Sequence, residues 1–141
     1  MPRLLKRLGV NYVRSGYCYQ AETKTLLAAL SGTYSTPRKK AIDQMIKSLK
    51  SAGVWAKLDV LQIYAAPTAA DAVVNWKNPG TFNATLINSP TLEVDRGITG
   101  DGASSYINSG FNAVTANANY QQNNASAGGY VRSVGATGKA L

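Results

Sequence analysis

Two carboxylates, Glu93 and Asp95, have a spacing that could serve catalysis on a β-strand. Side chains at i and i+2 of a strand share one face and lie about 7 Å apart. A retaining glycosidase with a Glu-x-Asp strand needs a second glutamate nearby, because one carboxyl group is the nucleophile and another is the acid/base. Positions 96–99 are Arg, Gly, Ile and Thr, so the proton donor is missing. We therefore predict a solvated strand face in which Asp95 pairs with Arg96, with no catalytic residues and no enzyme activity.

Cofactor and metal chemistry have little support in the sequence. Asp101, in Gly100-Asp101-Gly102, is a candidate calcium ligand, but calcium needs six to eight oxygen ligands, and we interpret the segment as a tight turn. The chain has no histidine and one cysteine, Cys18, which excludes a zinc site built from these residues and an intrachain disulfide. We expect a buried or half-buried free thiol and predict no cofactor.

Three aromatic residues, Trp55, Trp76 and Tyr106, are candidates for stacking against the sugar rings of a bound glycan. The alternative is that they belong to the hydrophobic core, which is the more frequent place for aromatic side chains in such a pattern.

Positive charge is concentrated in the first third of the chain. The net charge is +8; residues 1–50 hold ten Lys/Arg and two acids, whereas residues 51–141 hold five of each. Such asymmetry is typical of a basic arm that meets an acidic partner. The partner is either a protein surface or, less favoured, nucleic acid, and a solvated surface is the third alternative. The predicted docking residues are Arg3, Lys6, Arg7, Arg14, Arg38, Lys39 and Lys40.

Hydrophobic spacing predicts two helices, over 21–31 and 37–52. Gly32 suits the end of the first helix. For the second, Thr36 is the expected N-cap, Pro37 fits the first turn and Gly53 ends it. Apolar residues recur on one face of this helix, and Asp43 and Lys47 are expected to pair on the opposite, solvated face.

Residues beyond the helices read as short strands. We predict strands over 60–66, 71–76 and 82–88, and a hairpin of 91–95 with 103–111 across the turn at 100–102. The expected fold class is α+β, with a basic docking arm (1–20), a helical segment (21–53) and a mainly antiparallel, jelly-roll-like β-sandwich region with a flexible C-terminal end (54–141).

Several motifs, in order, also resemble a known family. They are Ala52-Gly53-Val54-Trp55-Ala56-Lys57-Leu58-Asp59, Asn75-Trp76, Asn88-Ser89-Pro90-Thr91, Asp95-Arg96-Gly97-Ile98-Thr99-Gly100-Asp101-Gly102 and Ser105-Tyr106-Ile107-Asn108-Ser109-Gly110-Phe111-Asn112. Over roughly residues 21–125, the sequence is similar to tail or minor structural proteins of tailed-bacteriophage and prophage virions. These proteins have a concanavalin A-like (laminin-G-like) β-sandwich, which usually continues well beyond the equivalent of Tyr130.

The resemblance implies a virion structural protein that is assembled in the bacterial host cytoplasm. Its partners would be other virion proteins of the capsid, neck or tail, and no membrane segment is expected. Because the sandwich would be incomplete, we expect a homo-oligomer, with a trimer as one form. The alternative function is a host-glycan-binding module of a tail fibre or spike.

Overall fold

A computed structural model describes residues 16–116 and 119–132. Its helices are α1 (Ala21–Ala29), α2 (Thr36–Ser51), α3 (Ala69–Ala72) and α4 (Ala113–Ala116), with a 3₁₀ turn at Trp55–Lys57. Its strands are β1 (Thr85–Ile87), β2 (Thr91–Glu93), β3 (Gly97–Thr99) and β4 (Tyr106–Asn108). The α+β class is confirmed, in the form of a few helices and two small antiparallel sheets.

Both long helices were predicted correctly, but their ends differ in detail. The N-cap of α2 is Ser35, whose hydroxyl accepts a hydrogen bond from the backbone N–H of Arg38, and Thr36 is already helical. Gly53 ends α2 with φ +70°, as its lack of a Cβ permits. Gly32 has a different role from the predicted helix end: a Cβ there would lie 2.5 Å from Asp71 Oδ2.

The hydrophobic core lies between the helices and the segment that precedes β1. Its buried members are Leu26, Tyr34, Ile42, Ile46, Trp55, Val74 and Trp76. Side chains from both sides of Gly53, the predicted boundary between the helical segment and the β region, therefore build one core. Two of these core residues, Trp55 and Trp76, are tryptophans, whose large rings bury extensive apolar surface.

The strands pair differently from the predicted hairpin. β2 pairs with β3, with Leu92 opposite Ile98, and β4 pairs with β1, with Ile107 opposite Leu86. The hairpin prediction was wrong because the chain turns earlier: Asp95 has φ +59°, and Arg96 N–H bonds Glu93 C=O at 2.9 Å. Residues 100–102 are therefore not the hairpin turn.

Two other predicted strands are absent from residues 60–66 and 71–76. These two segments are joined by one isolated β-bridge, between Gln62 and Asn75. Residues 69–72 form α3 instead, and the Thr68 hydroxyl caps this helix by accepting a hydrogen bond from Asp71 N–H. The apolar residues of these segments pack against the helical core. An irregular segment can make such contacts as well as a strand can.

Beyond Ala84, the part of the chain that the structure describes has almost no core of its own. Among its described residues only Pro90 is buried, and each of the two sheets has two strands of three residues. Large apolar side chains there are exposed, including Val94 (60%), Tyr106 (55%) and Val131 (60%). An isolated two-stranded ribbon is only marginally stable in water.

Candidate docking surface

The predicted docking residues fall into two groups. Arg3, Lys6, Arg7 and Arg14 lie outside the described residues, whereas Arg38, Lys39 and Lys40 occupy the first turns of α2. Positive charge near a helix N-terminus is unfavourable, because the helix dipole is positive there. Partners that offset this cost would therefore stabilise these three residues at the start of α2, and Arg38 is the one that the structure provides with several.

Arg38 is bound within the fold. Its guanidinium pairs with Asp95, Nη2 donates to Ala65 C=O at 2.9 Å, and its Cζ lies 4.9 Å from the centre of the Tyr34 ring. The predicted Asp95–Arg96 pair is thus wrong, because Asp95 reaches Arg38 across the fold. Arg38 joins α2 to the β2–β3 turn, and a docking role for it would compete with these contacts.

The side chains of Lys39 and Lys40 make fewer contacts within the fold than Arg38 does. Lys39 is half-buried, and its ammonium makes no hydrogen bond or ion pair with any residue that the structure describes, although its backbone N–H bonds Ser35 C=O at 3.0 Å. The Lys40 ammonium lies 5.1 Å from the centre of the Tyr17 ring, and the Lys47 ammonium lies at the same distance. Tyr17 is thereby held by two cations through its π face.

Asp43 fixes the point where the basic N-terminal segment joins the helices. Its fully buried carboxylate accepts from Tyr17 Oη–H (2.8 Å), Gln20 N–H (2.7 Å) and Thr23 Oγ1–H (2.7 Å), and pairs with Lys47 at 2.9 Å. The i,i+4 pair with Lys47 is confirmed, but the solvated face predicted for Asp43 is wrong, because the residues before α1 cover it.

Two further buried polar residues organise the fold and were missed in the sequence. Asp71 accepts from Ser31 N–H (2.8 Å), Gly32 N–H (2.9 Å) and Tyr34 Oη–H (3.1 Å), which fixes the loop between α1 and α2. Burial alone raises the pKa of Asp71, but the hydrogen bonds from Ser31 and Gly32 outweigh it and lower the pKa. The serine and glycine between two helices were the available signal for such a site.

Asn75 is the other missed residue, and it is fully buried. Its Oδ1 accepts from the backbone N–H of Leu61 (3.0 Å) and Lys77 (3.1 Å), and its Nδ2 donates to Thr81 C=O (2.9 Å). One amide therefore satisfies three backbone groups that lie outside the helices and strands.

The aromatic residues proposed for glycan stacking do not come together at a surface. Trp55 and Trp76 are core side chains, 6% and 8% exposed, so their ring faces contact protein. Tyr106 alone is exposed. A shallow depression of about 260 Å³, lined by residues that include Leu58, Lys77, Phe82 and Asn119, contains none of the three.

Every acidic side chain is already engaged inside the fold. All seven Asp and Glu residues lie within the described ranges, with Glu22 bound to Lys50, Asp43 to Lys47, Asp95 to Arg38, Glu93 to Arg96 and Arg132, and Asp59, Asp71 and Asp101 to hydrogen-bond donors. None of these seven side-chain carboxylates is therefore free to neutralise the excess of basic residues.

Asp101 and Cys18 are the remaining residues that the sequence analysis considered for metal binding or thiol chemistry. The Asp101 carboxylate accepts from the backbone N–H of Ser105, Ala103 and Ser104, each at 2.9 Å, and these bonds lower its pKa. It caps its own loop, as an Asx turn does. The Cys18 thiol is free and exposed, so the expectation of burial was wrong. Within the described ranges, no group of three or more Asp, Glu, Cys or His side chains is placed to hold a metal ion.

No protein-family model, curated protein or solved structure matches this chain. The resemblance to phage virion proteins therefore stays a prediction. Within residues 16–116 and 119–132, none of the helices combines the length and the hydrophobicity that a membrane-spanning segment requires.

The two buried aspartates predict acid sensitivity. Burial raises the pKa of Asp43, but hydrogen bonds from Lys47, Thr23, Gln20 and Tyr17 hold it below the usual 3.8, as corresponding bonds do for Asp71. A carboxyl group whose pKa is lower in the folded state contributes stability above its unfolded-state pKa and loses it as the pH falls towards the folded-state value. We expect urea unfolding at pH 7, 5, 4, 3 and 2 to show constant stability down to about pH 4 and a decline below it.

Asp43→Asn is the matched variant for this titration. Its stability should be lower at pH 7 and should fall less steeply below pH 4, because one of the two buried carboxyl groups whose pKa is lowered by folding is gone. An identical slope in the variant and the parent chain would contradict the assignment.

Proposed function

We propose that this chain is a non-catalytic structural protein of a tailed-bacteriophage virion, which is anchored by its basic N-terminal region to neighbouring capsid, neck or tail subunits. The proposal gives the chain an assembly role at both ends. The N-terminal segment would bind an acidic surface of another virion protein, and the C-terminal part would bind copies of the same chain.

The observation that carries the proposal is the absence of a core beyond Ala84, where only Pro90 is buried among the described residues. Short two-stranded sheets with exposed apolar side chains need cover, and strands from neighbouring chains provide it. We infer that the two sheets are part of a β-sandwich that becomes complete in a homo-oligomer.

Charge supports the anchoring role. The seven acids are bound within the fold, and four basic residues precede residue 16. Complementary charge on a partner would then set the register of docking, as it does at many protein interfaces. The same engagement of the carboxylates, including Glu93 with Thr99, Arg96 and Arg132, supports a non-catalytic role.

Incorporation into particles tests the proposal. Virions purified on a density gradient from bacteria that carry the gene should contain the chain, as detected by mass spectrometry. Its absence from particles would overturn the proposal. Loss of the chain from particles emptied of DNA would instead identify nucleic acid as the partner, and binding to a host surface polysaccharide by the isolated chain would favour the glycan-binding function.

A charge-removal variant tests the docking residues. Lys6→Gln/Arg7→Gln should lower incorporation roughly tenfold, if the two lost ion pairs contribute about 1.4 kcal/mol together. The control, Lys24→Gln/Lys57→Gln, removes the same charge from two exposed positions of the fold and should leave incorporation unchanged. Equal losses in both variants would show that net charge, rather than the N-terminal segment, matters.

A further inference from the structure

The outer edge of β4 presents a defined set of backbone groups. Ala84 N–H, just before β1, bonds Val73 C=O at 2.7 Å and so points away from β4. Backbone groups alternate in direction along a strand, so Thr85 and Ile87 face β4, where they pair with Asn108 and Tyr106. The N–H and C=O of Ile107 consequently point away from β1.

Because Tyr106 and Asn108 face β1, the planar peptides at the two ends of β4 turn Ser105 C=O and Ser109 N–H outwards. Ser105 N–H instead bonds Asp101 Oδ1 at 2.9 Å, and Ser109 C=O accepts at 2.9 Å from Gln62 Nε2, which also donates to Phe82 C=O beside β1. Within the described residues, β4 pairs with β1 alone, and the outward groups Ser105 C=O, Ile107 N–H, Ile107 C=O and Ser109 N–H have no partner.

The four outward groups could pair with the same four groups of a second copy that is related to the first by a two-fold axis through Ile107. In an antiparallel pair of two β4 strands, Ile107 of each copy would exchange N–H···O=C bonds with Ile107 of the other, and Ser105 C=O would accept from Ser109 N–H. The two groups with internal partners, Ser105 N–H and Ser109 C=O, would be opposite each other and would need nothing from the interface. An isologous contact requires this kind of self-complementarity.

We propose that the outer edge of β4 is a dimerisation surface, on which a second copy of this chain pairs its own β4 antiparallel to form a continuous four-stranded sheet. The inference rests on the self-association in the proposed function and specifies the edge that mediates it. A cyclic trimer would instead join β4 of one copy to the outer edge of β1 of the next, and Val73 already occupies part of that edge at Ala84.

The distribution of charge favours the β4 edge over the β2–β3 sheet as the site of self-association. β1 and β4 lie in stretches without Lys, Arg, Asp or Glu, at residues 78–92 and 102–131. Natural sheet edges that avoid self-pairing commonly carry charged side chains, and this one does not. The β2–β3 sheet, in contrast, carries Glu93, which is bound to Arg96 and Arg132.

Paired charge substitutions test the geometry directly. In the two-fold arrangement, residue 106 of one copy is opposite residue 108 of the other, and both side chains are exposed in the single chain. Tyr106→Lys/Asn108→Lys would place like charges opposite each other twice and should raise the dimer dissociation constant at least about tenfold. Tyr106→Lys/Asn108→Asp would place opposite charges there and should keep the parent affinity.

Two controls complete the experiment, which uses the full chain in light scattering and sedimentation velocity. Gln44→Lys/Ser48→Lys adds the same charge on exposed positions of α2 and should leave dimerisation unchanged. Circular dichroism melting of each variant separates loss of association from loss of folding.

The outcomes distinguish this inference from the proposed function. A stable monomer of the parent chain overturns both the dimer and the self-association. A trimer, or a dimer that the two β4 variants affect equally, overturns the two-fold β4 interface but leaves the structural role in place. A dimer weakened by the Lys/Lys pair and retained by the Lys/Asp pair supports the interface, even if particles lack the chain.

Discussion

Replacing Asp43 with alanine is expected to lower the free energy of unfolding by about 2–4 kcal/mol, which is a large part of the stability of an ordinary domain. The carboxylate is fully buried and accepts from Tyr17, Gln20 and Thr23. Without it, the buried Thr23 hydroxyl and the half-buried Gln20 N–H lose their acceptor. The Lys47 side chain is 35% exposed and can turn to solvent, so the loss stays below that of a fully buried ion pair.

Urea unfolding measures this effect, and Glu22→Gln is the control. Glu22 pairs with Lys50 at 2.7 Å, but both side chains are about a third exposed, and such surface pairs contribute about 0–1 kcal/mol. The Asp43 variant should also be cleaved faster by protease at residues 16–20, since their hydrogen bonds to the helix are lost. Equal destabilisation by the two substitutions would contradict the role assigned to Asp43.

Replacing Asn75 with alanine is the second large effect, with an expected loss of about 2–4 kcal/mol. The amide satisfies Leu61 N–H, Lys77 N–H and Thr81 C=O, and it is fully buried. Alanine takes the partner from all three groups and removes buried volume, which adds to the loss.

Asn112→Ala is the matched control for Asn75, and both are measured by urea unfolding. Asn112 also accepts a backbone hydrogen bond, from Val114 N–H at 2.9 Å, but its side chain is exposed. Water replaces that bond, so we expect a loss of less than about 1 kcal/mol. A loss in Asn75→Ala no larger than in Asn112→Ala would show that the amide network does not stabilise the fold.

The two long helices were predictable because their signals are local. The apolar spacing of α2, Pro37 and Gly53 all act within a few residues, and the helix formed within one residue of its predicted ends. The strands were less predictable, because β4 pairs with β1 rather than with β2. This pairing depends on the turn at Asp95, which lets β2 pair with β3 instead. The sandwich remains a proposal.

The candidate docking surface was predictable in charge but not in geometry. The bias towards the first fifty residues is visible in composition, yet Arg38 is separated from its partner Asp95 by 57 positions. No periodicity connects such distant residues. Asp71 and Asn75 were missed for the same reason, because packing brings most of their partners near from other parts of the sequence.

The exposed thiol of Cys18 gives the molecule a single natural attachment point for a probe, immediately beside the tyrosine that α2 holds. A photoactivatable crosslinker coupled there, without any engineered residue, would covalently capture whatever protein lies next to the N-terminal segment in an assembled particle. The identity of the captured neighbour could then be read by peptide sequencing.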